Sequence, residues 1–409
     1  MYRSRKDKRG RALVKGEIQR KDGRYQYTYK DPLGQRRWVY AHNLAELRKK
    51  EDELKRAQLD GLDLYVQGRA TLNDLFDRYI SLKTDLRPTT LQGYLYTWDH
   101  FVKDTFGMRR INTIKFSDVF QYYRYLENDR KIAITTIDQV HCLIHPALQL
   151  AVRDNILRTN PSDGVMAELK KQAGEKTDAR HALTVEQQRI FMNYVANHPV
   201  YYRHWPLFTV MFGTGCRIGE IAGLRWDDLD FDNRIICVRQ SIVYYAQNRD
   251  EPYQLHISRP KTAAGIRTIP MLDSVYEAFQ MEREEQEETG YNTAEIDGMT
   301  GFVFRNRYAG VISRESVNRT IKRIVDTYNG EEALDARKHH RDPVILPAFT
   351  CHIMRHTFAT RLCESDMNLK VIQSVMGHRD IQTTMDIYVD ATDKKKQESF
   401  QKLSDMDIF

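Results

Sequence analysis

The spacing of the apolar residues changes along the chain, and this change constrains the fold more than any other feature. Residues 25–29, Tyr-Gln-Tyr-Thr-Tyr, alternate aromatic and polar side chains with period two, as a half-buried strand does. Residues 31–34, Asp-Pro-Leu-Gly, predict a turn, and residues 36–40 predict the returning strand. Asn43 is placed to cap an amphipathic helix. We therefore expect a small module of β-sheet plus one helix over residues 1–65.

Residues 70–165 carry a different pattern, in which apolar residues recur at helical spacing without strand alternation. Thr71 precedes one amphipathic segment, Pro88 opens another, and further ones follow before Pro161. This pattern predicts a bundle of about four or five helices. Residues 169–180 are polar and charged, which predicts a linker.

Residues 180–409 mix helices with short strands, which are predicted at 234–239, 253–258 and 265–269. A length of 409 residues suits two to four domains at roughly 150 residues each. We predict a multidomain α+β protein. Its parts are a small N-terminal β-sheet domain, a helical domain, and a mainly helical third domain with a small antiparallel sheet.

The charge of the chain is concentrated at its N-terminus. Lys and Arg number 63 against 56 Asp and Glu, a net charge of +7. Residues 1–25 hold ten basic and three acidic side chains, so this stretch carries the whole surplus. The distribution favours a local contact with a polyanion by an N-terminal arm on a near-neutral body.

Composition excludes several classes of protein. Apolar residues make up 41% of the chain, too many for a disordered protein. No apolar run approaches the roughly 18–20 residues that cross a bilayer, and no hydrophobic segment follows the basic N-terminus as in a secretory signal. The five cysteines are scattered and lack C-x-x-C spacing, which argues against disulfides and structural zinc. We expect a soluble intracellular protein.

The third domain contains clusters of cationic and polar residues. Residues 213–220, Gly-Thr-Gly-Cys-Arg-Ile-Gly-Glu, predict a tight turn that delivers Arg217 to the start of a helix. Glu220 lies three residues later, on the same face, where it can hold the guanidinium group. Lys261 is predicted in a turn between two strands, from which its side chain can swing over a ligand. Taken singly, a surface Arg–Glu pair and a solvated hairpin lysine remain alternatives.

His352 and Arg355 are three residues apart at a predicted helix start and so project together. His352 and His356 also have the i, i+4 spacing of some zinc sites. The metalloprotease pattern requires Glu beside the first His, where this chain has Ile353, and Arg355 would repel a cation. We therefore expect no metal.

The last cluster contains His378 and ends at Tyr388, which follows a stretch of helical character. Taken alone, Tyr388 is more typical of a packed aromatic side chain. Taken together, these clusters supply what phosphodiester displacement without metal requires: two arginines, a lysine, two histidines and a tyrosine. Arginine binds non-bridging oxygens and neutralises the transition state, lysine protonates a leaving alkoxide, and tyrosine forms a covalent intermediate.

The order of these residues resembles the tyrosine recombinases, the lambda-type phage integrase family, and within it the integrases of conjugative transposons. The matching positions are Arg217, Lys261, His352-x-x-Arg355, Gly377-His378 and Tyr388. Residues 7–11 and 19–25 resemble the arm-site DNA-binding domain of that group, and 70–165 resembles its core-site DNA-binding domain. Met354 and Cys216 depart mildly from the usual apolar residues. The resemblance implies domains at 1–65, 70–165 and 180–409, the last being catalytic with a C-terminal tail.

The resemblance also implies a role for each residue. Tyr388 would attack the scissile phosphate and form a 3′-phosphotyrosine with a free 5′-hydroxyl. Arg217 and Arg355 would clamp the phosphate, with Glu220 positioning Arg217. Lys261 would be the general acid. His352 and His378 would hydrogen-bond the phosphate and assist proton movement.

Partners and location follow from the same resemblance. The enzyme would need no metal and no other cofactor, and would integrate and excise a mobile genetic element. Four protomers on double-stranded DNA, at core and arm sites, would exchange strands through a Holliday junction. An excisionase and a host DNA-bending protein are candidate partners. The expected location is the bacterial cytoplasm, at the nucleoid, without membrane contact. The tail after Tyr388 would dock on a neighbouring protomer or pack on its own domain.

For the arm domain we expect phosphate contacts together with entry of a β-ribbon into the major groove. The candidate DNA-binding residues are Arg20, Lys21, Arg24, Arg36 and Arg37. The alternative is a solvated charged tail.

Two other functions remain open at this point. A type IB topoisomerase uses a site of the same kind. A non-catalytic DNA-binding regulator could retain such a site in degenerate form, although every candidate catalytic position is filled here.

Overall fold

The chain divides into two compact units, Met1–Thr177 and Asp178–Phe409. The computed structural model describes residues 5–30, 36–59, 70–173, 181–246, 251–260, 266–365, 367–378 and 380–389.

The first unit begins with a three-stranded antiparallel sheet and a helix. These elements are β1 (Glu17–Gln19), β2 (Tyr25–Lys30), β3 (Arg36–Ala41) and α1 (Leu44–Leu59). Strand β2 is central, with Tyr27 opposite Glu17 of β1 and Val39 of β3. The buried cluster of Tyr25, Ala41, Leu44 and Leu47 joins one face of the sheet to α1. Both predicted strands and the helix are confirmed, and Asn43 Oδ1 accepts a hydrogen bond from the backbone N–H of Glu46 at 2.8 Å.

Residues 70–173 of this unit are mainly helical, as predicted. Its helices are α2 (Leu72–Ser81), α3 (Pro88–Thr97), α4 (Phe116–Asn128), α5 (Ile134–Arg153) and α6 (Val165–Ala173). Thr71 caps α2, and Pro88 is the first residue of α3. The stacked rings of Phe76 and Trp98, 3.8 Å apart, lie in the core.

The linker predicted at residues 169–180 is wrong at its start. Residues up to Ala173 belong to α6, and Val165, Met166 and Leu169 lie in the helical core. The side chain of Leu169 is fully buried. The charged residues of α6 occupy its outer face. Because they are so frequent in this segment, the narrow apolar stripe on the other face was overlooked in the sequence.

Helices make up about half of the described residues of the second unit. They are α7 (Val185–Asn197), α8 (Trp205–Thr214), α9 (Ile218–Ala222), α10 (Asp273–Thr289), α11 (Arg314–Lys338), α12 (Cys351–Glu364), α13 (Leu369–Met376) and α14 (residues 381–389). Helix α8 is apolar on nearly all sides and packs against α10 and α12. A helix of this kind must be buried.

In the described part of the second unit, five short strands form two sheets. They are β4 (Leu229–Asp230), β5 (Ile235–Val238), β6 (Ser241–Tyr245), β7 (Gln254–Ser258) and β8 (Arg267–Pro270), in the orders β4-β5-β8 and β6-β7. The strands predicted near 234, 253 and 265 are confirmed within a few residues. However, β7 pairs with β6 and β8 pairs with β5, so β7 and β8 do not pair with each other. Lys261, which was predicted in a turn between two strands, lies outside the described residues.

The fold class is confirmed as a mainly helical α+β protein with small antiparallel sheets. The division into three domains stays a prediction. Among the described residues, no helix is long and apolar enough to cross a membrane.

Candidate active site

The site begins where the chain reverses between α8 and α9. Gly215 ends α8 with φ of +60°, a left-handed conformation that favours glycine. A Cβ atom there would lie 2.4 Å from Cδ1 of Phe358, so a side chain would also clash with α12. The turn places Arg217 immediately before α9, where its backbone N–H donates to Glu220 Oε2 at 2.8 Å. The predicted glycine turn and helix start are therefore present.

Glu220 binds two arginines rather than the predicted one. Its Oε1 accepts from Arg217 Nη1 at 3.0 Å, and its two oxygens accept from Arg267 Nη1 at 3.1 Å and Nη2 at 2.8 Å. Burial by itself would raise the pKa of Glu220. The hydrogen bonds and charge of Arg267, followed by those of Arg217, outweigh burial and hold the pKa at about 2. Glu220 is thus a carboxylate throughout the physiological range.

Arg267 was missed by the sequence analysis. Its side chain is almost fully buried, and besides Glu220 it binds the carbonyl of Val375 at 2.7 Å through Nε and Cys216 Sγ at 3.7 Å through Nη2. It therefore joins β8, α9 and the end of α13. One signal was available, because period-two alternation in β8 places Arg267 on the same inward face as Ile269.

Arg355, on α12, is a charged residue in the interior of the protein. Its side chain is buried, with 4% of the residue exposed. Nη1 donates to the carbonyl of Gly215 and Nη2 to that of Met376, both at 2.6 Å. Burial, followed by the charge of Arg217, lowers the pKa of Arg355 to about 10. The guanidinium remains charged at neutral pH, and these two bonds go to carbonyls rather than to a carboxylate. This suits an anionic ligand.

His378 follows the left-handed Gly377 that ends α13. Its Nδ1 lies 2.9 Å from Oγ1 of Thr384. Burial lowers the pKa of His378 to about 4, with further contributions from Arg355, Arg217 and Arg267. The imidazole is therefore neutral at neutral pH. Arg355 binds the carbonyl of Met376 and Arg267 binds that of Val375, so both guanidinium groups lie beside the loop that carries His378.

Tyr388 and His352 occupy different surroundings near this cluster. Tyr388 is half-buried on α14 and packs on side chains of α12 and α13. Those side chains include Phe358, Ala359, Cys363, Ile372 and Met376. His352 lies on the first turn of α12, where it is exposed although Arg355 is buried. The two residues of the predicted pair thus share a helix but differ in burial.

The candidate DNA-binding residues of the N-terminal sheet separate by face. Arg36, Trp38 and Tyr40 lie on the open face of β3, whereas Arg37 shares the face that α1 covers. Lys21 is exposed in the β1–β2 turn.

Two arginines near this turn have partners within the sheet module. The guanidinium of Arg20 lies over the ring of Tyr40 at 5.3 Å and donates to Gln26 Oε1 at 3.3 Å. Arg24 donates to both carboxylate oxygens of Asp22. In the described parts of the chain, no group of three or more His, Cys, Asp or Glu side chains could hold a metal ion.

Comparison with known proteins gives consistent matches. The phage integrase family matches residues 181–395, and the DNA binding domain of tn916 integrase matches residues 1–58. The transposase from transposon Tn916 of Enterococcus faecalis is 33% identical over 408 residues, which cover 96% of this chain and 95% of the relative.

Solved structures are similar as well. The Tn1549 transposon integrase in complex with circular intermediate DNA has a TM-score of 0.68 and 27% identity, and the match covers 80% of this chain and 99% of that one. The lambda integrase, solved as a tetramer bound to a Holliday junction, has a TM-score of 0.52 at 17% identity and covers 92% and 95% of the two chains. The latter likeness concerns the fold.

Proposed function

Because this chain belongs to the phage integrase family, and is therefore a tyrosine-type site-specific DNA recombinase, we propose that Tyr388 is its nucleophile. The Tyr388 oxygen would attack the scissile phosphorus of DNA and form a phosphotyrosine at the 3′ end. The bond to the 5′ oxygen would break, and that oxygen would leave as a hydroxyl. Reversal of this step on a new partner strand rejoins the DNA and completes integration or excision of a mobile element.

The observation that carries this proposal is the partly buried cluster of arginines beside a neutral histidine. Arg355 is charged and bound to carbonyls, Arg217 is half-exposed beside it, and His378 is neutral next to both. Two guanidinium groups can each bind non-bridging oxygens and neutralise the pentavalent transition state. Neutral His378 can donate one ring N–H to the same phosphate. Tyr388 packs on the helix that carries Arg355, which keeps the nucleophile on the same framework.

Glu220 supports the clamp by fixing Arg217, whose backbone and guanidinium it binds. Lys261 is proposed as the general acid that protonates the 5′ oxygen, and His352 as a further hydrogen-bond donor to the phosphate. These two roles rest on the order of residues that the chain shares with its family.

A Tyr388→Phe substitution tests the nucleophile directly. The wild type should accumulate a covalent protein–DNA adduct on a nicked suicide substrate taken from the element ends, because the cleaved fragment diffuses away. The variant keeps the ring but lacks the oxygen, so it should form no adduct while its DNA affinity stays within about twofold. Denaturing gel electrophoresis measures the amount of covalent adduct that each of the two proteins forms. Tyr308→Phe is the matched control, since Tyr308 is 74% exposed and outside the site. An adduct with Tyr388→Phe would show that another residue attacks.

The two alternatives predict other products. A topoisomerase would relax supercoiled DNA without exchanging strands between two sites. A non-catalytic regulator would bind the element ends and form no adduct with any of them. Exchange products between two labelled sites would exclude both.

DNA is the substrate of this enzyme class. We further propose a tetramer on DNA, with two pairs of strands exchanged in turn through a Holliday junction. Support comes from the lambda integrase, which was solved as a tetramer on such a junction. An excisionase and a host DNA-bending protein would bias the direction. A cytoplasmic location at the nucleoid would place the enzyme beside its substrate.

The N-terminal sheet is proposed to bind arm sites through its open face, which carries Arg36, Trp38 and Tyr40. Arg20 stacks on Tyr40 at the same face and would present its remaining N–H groups to phosphate. The match of residues 1–58 to the DNA binding domain of tn916 integrase supports this assignment.

A further inference from the structure

Thr384 occupies a position that the proposed chemistry leaves unexplained. The residue is fully buried on α14, although threonine in a helix usually faces solvent. Its hydroxyl oxygen lies 2.9 Å from Nδ1 of His378. A buried hydroxyl without a partner would be costly, so this hydrogen bond matters to both groups.

The same bond connects two parts of the site. Thr384 lies four residues before Tyr388 on α14, so the two side chains occupy one face, a single turn apart. His378 belongs to the preceding loop, where its backbone N–H donates to the carbonyl of Gln373 at 3.1 Å. Its own carbonyl accepts from Gln373 Nε2 at 3.2 Å. The backbone of His378 is thus held by α13, and its ring is held by α14.

The bond also constrains which ring nitrogen carries hydrogen. A neutral imidazole has one N–H and one acceptor nitrogen. With Nδ1 occupied by the Thr384 hydroxyl, Nε2 is the ring nitrogen left for the phosphate. If the hydroxyl donates to Nδ1, the ring hydrogen must be on Nε2, where it can be donated to a phosphate oxygen.

We propose that Thr384 is a positioning residue for DNA cleavage, whose hydroxyl donates to His378 Nδ1 and keeps the ring hydrogen on Nε2. This inference rests on the proposed function of the site. Thr384 touches no reacting atom and acts through His378, and it links the orientation of that ring to the helical turn that carries Tyr388.

Two substitutions separate the hydroxyl from the packing of the side chain. Thr384→Val keeps the shape and removes the hydroxyl, whereas Thr384→Ser keeps the hydroxyl. With the full-length protein and the suicide substrate, Thr384→Val should form adduct about 10- to 100-fold more slowly, the range seen when residues that orient metal-binding histidines are lost. Thr384→Ser should stay within about threefold of the wild type. Thr383→Val, at the exposed neighbour, is the matched control and should have no effect.

A double-mutant cycle then tests whether Thr384 acts through His378. In a His378→Ala background, Thr384→Val should slow adduct formation by less than about twofold further. Equal slowing by Thr384→Val with and without His378 would overturn the inference, as would an unimpaired Thr384→Val or an equally impaired Thr384→Ser. If Thr384→Val does not fold, Thr384→Ala compared with Thr384→Ser gives the same test.

Failure of this inference can be told apart from failure of the proposed function. Absence of adduct with the wild type, or its presence with Tyr388→Phe, would contradict the proposed function. If the wild type forms adduct through Tyr388 but Thr384→Val is unimpaired, or Thr384→Ser is equally impaired, only the role of Thr384 is contradicted.

Discussion

At the scale of single residues, the site depends on how buried charges are compensated. Glu220 is bound by Arg217 on its exposed side and by Arg267 on its buried side, and the two arginines therefore have different roles. The side chain of Arg217 is about half exposed and can turn toward a ligand. The side chain of Arg267 is almost fully buried and therefore stays beside Glu220. We infer that Arg267 holds the carboxylate and that the carboxylate in turn holds Arg217.

Replacing Arg267 should therefore destabilise the protein more than replacing Arg217. Arg267→Met would leave Glu220 buried with only its exposed partner, and removing one member of a buried pair costs about 3–5 kcal/mol. Arg217→Met removes a half-exposed pair and should cost less than about 1 kcal/mol. Urea unfolding of both variants measures the difference. Equal stabilities would show that Arg267 is not the main partner of the carboxylate.

At the scale of elements, alternation along a strand decides which side chains can meet a ligand. Neighbouring residues of β3 point to opposite faces, so Arg36 lies on the open face and Arg37 on the face under α1. From the sequence alone, both arginines are equal candidates for DNA contact. Because α1 covers only one of the two faces, these adjacent arginines can be compared as an open-face residue and its covered-face control.

This pair gives a prediction for the sheet module. Arg36→Ala should weaken binding to arm-site DNA about three- to tenfold and reduce the salt dependence of binding by about one phosphate contact. Arg37→Ala removes the same charge from the covered face and should have a smaller effect on binding. Fluorescence anisotropy on a duplex from the element ends, at several salt concentrations, measures both. A larger effect of Arg37→Ala would place the DNA on the other side of the sheet.

At the scale of the whole molecule, three partly buried histidines and one buried glutamate respond to pH in opposite directions. Burial lowers the pKa of His141, His204 and His378 from 6.5 to about 4. Burial raises the pKa of Glu282 from 4.5 to about 7. The histidines thus favour the folded state above pH 6.5, while Glu282 favours it below pH 4.5.

The free energy of unfolding should therefore fall as pH is lowered from 6.5 toward 4, because the unfolded chain binds protons on these histidines and the folded chain does not. The loss is on the order of 1 kcal/mol per histidine after allowance for partial exposure. Glu282 opposes this trend, since its contribution is lost as pH rises from 4.5 through about 7.

Urea unfolding at pH 5 and pH 7 measures the net effect. Glu282→Gln should steepen the fall and stabilise the protein at pH 8, while Glu288→Gln, at an exposed site on the same helix, should do neither. Stability that does not change between pH 7 and 5, in both the wild type and Glu282→Gln, would contradict this assignment.

The sequence by itself determined most of what depends on neighbours along the chain, although it missed helix α6. Alternation at 25–29 predicted β2, the turn after it predicted the returning strand β3, and the glycine turn before Arg217 predicted the start of α9. The order of Arg217, His352, Arg355, His378 and Tyr388 pointed to the family. These features follow from local backbone geometry, which a few adjacent residues control.

The tertiary structure alone decided which distant groups meet. Arg355 bonds to Gly215, 140 residues earlier, and Arg267 to Val375, 108 residues later. It also decided that β8 pairs with β5 rather than β7, and that Thr384 is buried against His378. Such contacts depend on how helices and strands pack, because burial removes water and makes each polar group find a partner wherever the fold supplies one.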